Sequence, residues 1–118
     1  MTDSKELLKV VVKAIGEKKG EQIKIIDISG VSVIADYFVI TGGSNANQIR
    51  AIADEIEEKL GKLGVTPKQI EGYQTAGWVL MDYRDFIIHI FNREERLYYD
   101  IERIWSDGKA ITVDELGI

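Results

Sequence analysis

Leu7, Leu8, Val11, Val12 and Ile15 recur at helical spacing near the start of the chain, with Lys and Glu between them. This predicts an amphipathic helix over residues 3–19, with Asp3 capping and Glu6 three positions later. Lys18 and Lys19 suit its C-terminal end, and Gly20 is a natural stop. The pattern then changes. Gln22 to Ile28 is rich in β-branched residues, and Tyr37 to Thr41 (YFVIT) is a nearly continuous apolar run, as in a central strand buried on both faces. Ser29-Gly30-Val31-Ser32 is a short connection between them. Gly42 and Gly43 are expected to break the second strand. Asn45 and Gln48 then form a capping-box pair ahead of a second helix, whose Ile49, Ile52, Ala53, Ile56, Leu60 and Leu63 share one side.

Gly61, Gly64 and Pro67 end that helix, and Gln69 to Gly72 reads as a short strand. A hairpin follows: Gly77 to Asp82, a turn near Tyr83-Arg84, then Asp85 to Phe91. Alternation places Trp78, Leu80 and Asp82 on one face of its first strand and Val79, Met81 and Tyr83 on the other. In the second strand His89 goes with Ile87 and Phe91, opposite Phe86, Ile88 and Ile90. Helical character returns at Arg93–Tyr98 and near Ile101–Trp105, while Ser106–Ile118 carries weak structural signals. The order of elements implies one mixed α+β domain over residues 1–118, an α/β arrangement with a single mixed sheet flanked by helices.

Charge and composition narrow the function. The net charge is −5, from 15 Lys+Arg against 20 Asp+Glu. With no basic run beyond Glu17-Lys18-Lys19, the chain is poorly suited to reading nucleic acid directly and better suited to a basic protein partner. It has no cysteine, which excludes disulfides and thiolate metal sites and fits a reducing cytoplasm. No apolar run reaches the roughly 18 residues of a membrane span, and the N-terminal pattern is not that of a signal peptide.

Candidate chemistry is sparse. Gly42-Gly43-Ser44 ahead of a helix could receive an anion, but it lacks the Gly-Lys-Ser/Thr end of a Walker loop and is read first as a strand-to-helix turn. Asp82 and Asp85 flank the hairpin turn, where a paired-carboxylate site is possible and ordinary turn bonding is the simpler account. His89 is the only histidine and is read as structural and hydrogen-bonded, since no partner ligand or nucleophile accompanies it. No cofactor or metal is implied. A nucleotide-binding or nucleotidyltransferase-like enzyme using Ser44, Asp82 and Asp85 is the alternative to a binding protein. Trp78 and Leu80 are either an apolar patch edged by acid, as in a protein-recognition surface, or are covered by a helix of the same chain. Of the adjacent Tyr98 and Tyr99, one should be exposed.

Between about Ile23 and Trp105 the chain resembles the ribosomal silencing factor family, also called Iojap-like. The matching residues are Asp36-Tyr37-Phe38, Ser44, Gln48, Ala53-Asp54, Glu71-Gly72, Trp78, Asp82-Tyr83, Asp85, His89-Ile90-Phe91 and Glu102-Arg103-Ile104-Trp105. The resemblance implies a nucleotidyltransferase-like fold without working catalytic motifs. It implies binding to the large ribosomal subunit through a basic protein of the L-fourteen family on its intersubunit face. Small-subunit joining would then be blocked and translation repressed, and homodimers are implied for some members. Carried onto this chain, the contact falls on Trp78 and Leu80, on Tyr99 and Ile101, and more weakly on Tyr73, Asp82 and Tyr83. The chain departs from the family at Arg84, where glycine is usual, and at Asn92-Arg93, where a His-Glu pair is usual.

Overall fold

In the computed structural model, which describes residues 4–104, 107–112 and 114–116, the first helix α1 spans Ser4–Glu17 and buries Leu7, Leu8, Val11, Val12, Ala14 and Ile15. The Asp3 cap lies outside the described residues. The helix closes with paired bonds, Gly20 N–H to Ile15 O at 2.8 Å and Lys19 N–H to Gly16 O at 3.0 Å. These are the two bonds of a Schellman motif, and its left-handed residue is Lys19 (φ 61) rather than the glycine. Gly20 is needed for space: a Cβ there would stand 2.2 Å from Ile15 Cγ2.

Strands β1 (Glu21–Asp27), β2 (Tyr37–Gly43), β3 (Gln69–Glu71), β4 (Trp78–Asp82), β5 (Phe86–Asn92) and β6 (Lys109–Ile111) form one six-stranded sheet in the order β3-β4-β5-β2-β1-β6. Only β2 and β5 pair in parallel; the other neighbours are antiparallel. The crossover between β2 and β5 contains α2 (Ala46–Lys62) together with β3 and β4. Two expectations change here. Gly42 and Gly43 do not break β2, because they pair with Phe91 and Asn92 of β5. Gly43 belongs in the strand because a Cβ there would come within 2.7 Å of Ile49 Cγ1, so its bareness lets α2 close on the sheet. The tail also has more structure than its weak signals suggest. Lys109–Ile111 adds an edge strand to β1, and Leu116, in a 3-10 turn at Asp114–Leu116, is buried. An edge strand held by backbone bonds needs little apolar periodicity of its own.

The sheet has two unlike faces. On one, α1 and α2 lay their apolar sides over Ile25, Val39, Val79, Met81, Phe86, Ile88 and Ile90. On the other, Ile26, Phe38, Ile40, Ile87 and Phe91 pack with Ile28 and Ala35 of the β1–β2 connection, with Ile101 after β5, and with the half-buried Trp78 and Leu80. Among the described residues no long helix covers this second face. Two short ones, α3 (Arg93–Tyr99) and α4 (Ile101–Ile104), stand beside it, and α3 buries none of its residues.

Candidate docking face

Strand β4 divides its residues as alternation requires. Val79 and Met81 are wholly buried against the helices, while Trp78, Leu80 and Asp82 stay half-buried on the other face. Trp78 sits in a ring cluster, with its indole 5.0 Å from Phe91, 4.7 Å from Tyr99 and 5.9 Å from His89, centroid to centroid. Its Nε1–H donates to His89 Nδ1 at 3.0 Å. His89 is 3% exposed and meets Phe38 edge-on at 4.7 Å. Burial pushes its pKa down to about 4, so the imidazole is neutral near pH 7. Because Nδ1 accepts the indole proton, the ring's own proton is assigned to Nε2. That second nitrogen is buried without a partner among the described residues, at a cost of about 1–3 kcal/mol.

The segment after β5 is fixed by its caps. Asn92 Oδ1 accepts the Glu95 N–H at 2.7 Å and starts α3, and Asp100 ends it in a left-handed turn (φ 47). That turn redirects the chain, leaving Tyr99 41% exposed against Trp78 and sending Ile101 into the sheet face. Arg93 binds Glu21 through two bonds of 2.6 and 3.2 Å, and Arg96 donates to Gln22 O at 2.8 Å. Both contacts tether α3 to the bulged start of β1. The Arg93 hydrogen bond holds the Glu21 carboxyl below its ordinary range.

Trp78, Leu80, Tyr99 and Ile101 thus come together, with Asp82 at the far end of the same strand. Ile101 supports the face from below and is itself buried. Two expected contact residues lie elsewhere. Tyr83 is buried on the helix face, stacked on Phe86 at 5.3 Å, and its hydroxyl has no partner among the described residues. Burial raises its pKa. Tyr73 packs on the helix side and donates to the Asp54 carboxylate of α2 at 3.0 Å. Of the adjacent tyrosines both are exposed, Tyr98 more than Tyr99. Sequence reasoning missed Val31, Val33 and Ile34, exposed apolar residues on the β1–β2 connection, whose only signal was the two valines flanking Ser32 and the isoleucine after them. Trp105 lies outside the described residues.

The residues of the enzymatic alternative do not form one site. Ser44 follows the end of β2 that pairs with Asn92, whereas Asp85 precedes the start of β5, which pairs with Tyr37. Seven residues of strand, at about 3.3 Å each, put them roughly 20 Å apart. Locally each has a structural task. Ser44 N–H and Oγ both bond Gln48 Oε1, at 2.7 and 2.9 Å. Gln48 Nε2 in turn donates to Lys19 O at 2.9 Å, joining the start of α2 to the end of α1. The other half of the cap is as expected, with Asn45 Oδ1 accepting the Gln48 N–H at 2.8 Å. Asp82 Oδ1 accepts the Arg84 N–H at 2.8 Å, which is turn bonding. Among the described residues no group of three or more His, Asp or Glu could hold a metal, and no helix is long and apolar enough to cross a membrane.

The fold, a mixed sheet with helices on one face and a half-open aromatic surface on the other, defines a class of α+β domain already solved. A crystal structure of a protein from Chromobacterium violaceum superposes with a TM-score of 0.87 at 30% identity, covering 89% of this chain and 88% of that one. The family described as "Ribosomal silencing factor during starvation" matches residues 1–117, and the chain belongs to it. The ribosomal silencing factor RsfS of Halalkalibacterium halodurans is 38% identical over 111 residues, 94% of this chain and 95% of its own length. A more distant mouse relative, "Mitochondrial assembly of ribosomal large subunit protein 1", is 23% identical over 82% of this chain and 44% of its own length. Family membership supports a role in ribosomal silencing.

Proposed function

We propose that the chain docks on the large ribosomal subunit through Trp78, Leu80 and Tyr99, with Asp82 at the margin, and that its bulk blocks joining of the small subunit. The partner in this reading is a basic protein of the intersubunit face, of the L-fourteen family, and the setting is the cytoplasm. One observation carries it: on one face of β4 Trp78 and Leu80 stay half-buried, with Tyr99 exposed beside the indole, while Val79 and Met81 on the opposite face of the same strand are wholly buried beneath the helices. Large half-buried aromatic anchors are the residues that dominate binding energy at interfaces. The net charge of −5 favours a basic partner over bare phosphate backbone. The mouse relative's name supports the link to the large subunit.

The direct test is sedimentation of the purified chain with isolated subunits. Travel with the large subunit and a reduced yield of joined ribosomes are expected. Failure of the unaltered protein to travel with the large subunit would end this reading. Trp78→Ala should weaken binding at least tenfold, about 1.4 kcal/mol. A change of mass in solution for that variant would instead make Trp78 a contact between two copies of the chain.

A further inference from the structure

Two polar side chains are buried among the described residues, Thr41 and His89. Thr41 is satisfied, its Oγ1 donating to Glu21 O at 2.9 Å. Among the described residues His89 is satisfied on one side only: Nδ1 accepts a hydrogen bond from the Trp78 indole N–H at 3.0 Å and Nε2 is buried with no partner. An apolar side chain at this position would leave no stranded nitrogen and would still fill the space between Phe38 and Phe91. What it would lack is an acceptor for the indole. Trp78 also packs on rings, Phe91 below and Tyr99 beside it. Ring stacking resists tilting, but it tolerates sliding and turning of the indole within its own plane. A single directional bond at the indole nitrogen removes that freedom.

The geometry points to His89 as a positioning residue of the docking face, an imidazole buried beneath the surface that holds the Trp78 indole in one orientation before a partner arrives. It touches no partner itself. The inference rests on the docking proposed above for its consequence in binding, but not for its structural content. The register explains how the pair forms. Trp78 faces Phe91 across β4 and β5, and His89 faces Leu80, so the bond runs diagonally on one face of the hairpin. An anchor ordered in advance spares the partner the cost of ordering it, a difference of roughly threefold to tenfold in affinity for one immobilised side chain.

Two variants separate ring from acceptor. His89→Phe keeps a ring between Phe38 and Phe91 and removes the acceptor, whereas His89→Asn can place an amide oxygen near the position of Nδ1. In the isotope-labelled full chain at neutral pH, the imidazole should carry its proton on Nε2. The Trp78 indole N–H should exchange with solvent slowly. In His89→Phe that indole signal should shift and exchange faster, and affinity for the large subunit should fall roughly threefold to tenfold. In His89→Asn both should move back toward the unaltered values. A proton on Nδ1, a rapidly exchanging Trp78 indole in the unaltered chain, or a folded His89→Phe with undiminished affinity would overturn the inference. Should His89→Phe fail to fold, the imidazole protonation, the indole exchange and His89→Asn decide. If the unaltered chain does not sediment with the large subunit, the docking reading falls, while the imidazole and indole signals still decide whether His89 orients Trp78.

Discussion

The two faces of the sheet are made by the same strands and obey different rules. Toward α1 and α2, the residues Val39, Val79, Met81, Ile88 and Ile90 are wholly buried and carry no hydrogen-bonding side-chain group. One residue along each strand, the opposite face mixes Trp78, Leu80, His89 and Phe91 and leaves two of the four half-open. The first face is optimised for packing. The second accepts a buried imidazole among its central residues and incomplete cover at Trp78 and Leu80, features that stability alone does not favour, whereas the stranded hydroxyl of the first face, on Tyr83, lies just past the end of β4. Because side chains alternate strictly, the two tasks can be separated by changing neighbours in sequence.

The sharpest way to break this comparison is the pair Met81 and Leu80. Met81→Ala should open a cavity beneath the helices and cost about 2–5 kcal/mol of folding stability, measured by denaturant unfolding. Leu80→Ala removes a half-open side chain and should cost about 1 kcal/mol in the same measurement, while weakening large-subunit binding. Equal losses of stability would mean that the second face is as much a core as the first.

A nearly equal effect should come from acid, and it belongs to the second face alone. Folded His89 has a pKa pushed down to about 4 by burial, against 6.5 for the free side chain. Between those values the unfolded chain binds a proton that the folded chain refuses, so stability falls as pH drops through this window. Above it His89 has no effect on the slope. The full difference is roughly 3 kcal/mol. Urea unfolding at a series of pH values should show this slope, and His89→Phe should flatten it. Glu21 and Asp27, whose carboxyls are held low by hydrogen bonds from Arg93 and Ser29, begin to lose their contribution only at the acid end of this window and below it. Persistence of the slope in His89→Phe would assign it to another group.

A smaller effect should separate the exposed part of the aromatic cluster from its buried part. Tyr99→Ala should weaken large-subunit binding by about 1 kcal/mol, near fivefold, because Tyr99 lies open against the Trp78 ring. Tyr83→Phe should leave binding unchanged, since Tyr83 is stacked on Phe86 beneath the helices. A loss of binding from Tyr83→Phe with folding intact would undo the division between the faces.

Much of the fold was legible because its elements announce themselves by period. The apolar sides of α1 and α2 and the alternation in β4 and β5 follow from residue spacing, and the strand parity already separated Tyr83 from Trp78. Family resemblance placed Tyr83 and Tyr73 among the contacts; the structure sets Tyr83 on the helix face, as parity implies, and Tyr73 against Asp54 of α2. Features that depend on partners far along the chain were not legible. Lys109–Ile111 becomes a strand because β1 offers a free edge, and Gly43 stays in β2 because Ile49 needs the room. The Trp78–His89 bond required the register of the hairpin, which turn geometry sets and residue spacing does not.

The smallest prediction concerns that turn. Arg84 adopts φ 73, the left-handed conformation, while Tyr83 N–H bonds Phe86 O at 3.0 Å and Asp82 Oδ1 holds the Arg84 N–H. Arg84 therefore holds a backbone conformation that glycine suits. An L-residue there costs about 1–2 kcal/mol, partly offset because glycine has more freedom to lose on folding. Arg84→Gly should stabilise the chain by about 0.5–1 kcal/mol. Large-subunit binding should not change, since the Arg84 side chain is exposed beyond the end of β4. Arg84→Val should destabilise instead, because a β-branched residue tolerates positive φ least. Denaturant unfolding of both variants measures the turn directly. A loss of stability in Arg84→Gly would mean that the arginine side chain contributes contacts worth more than the strain of its backbone.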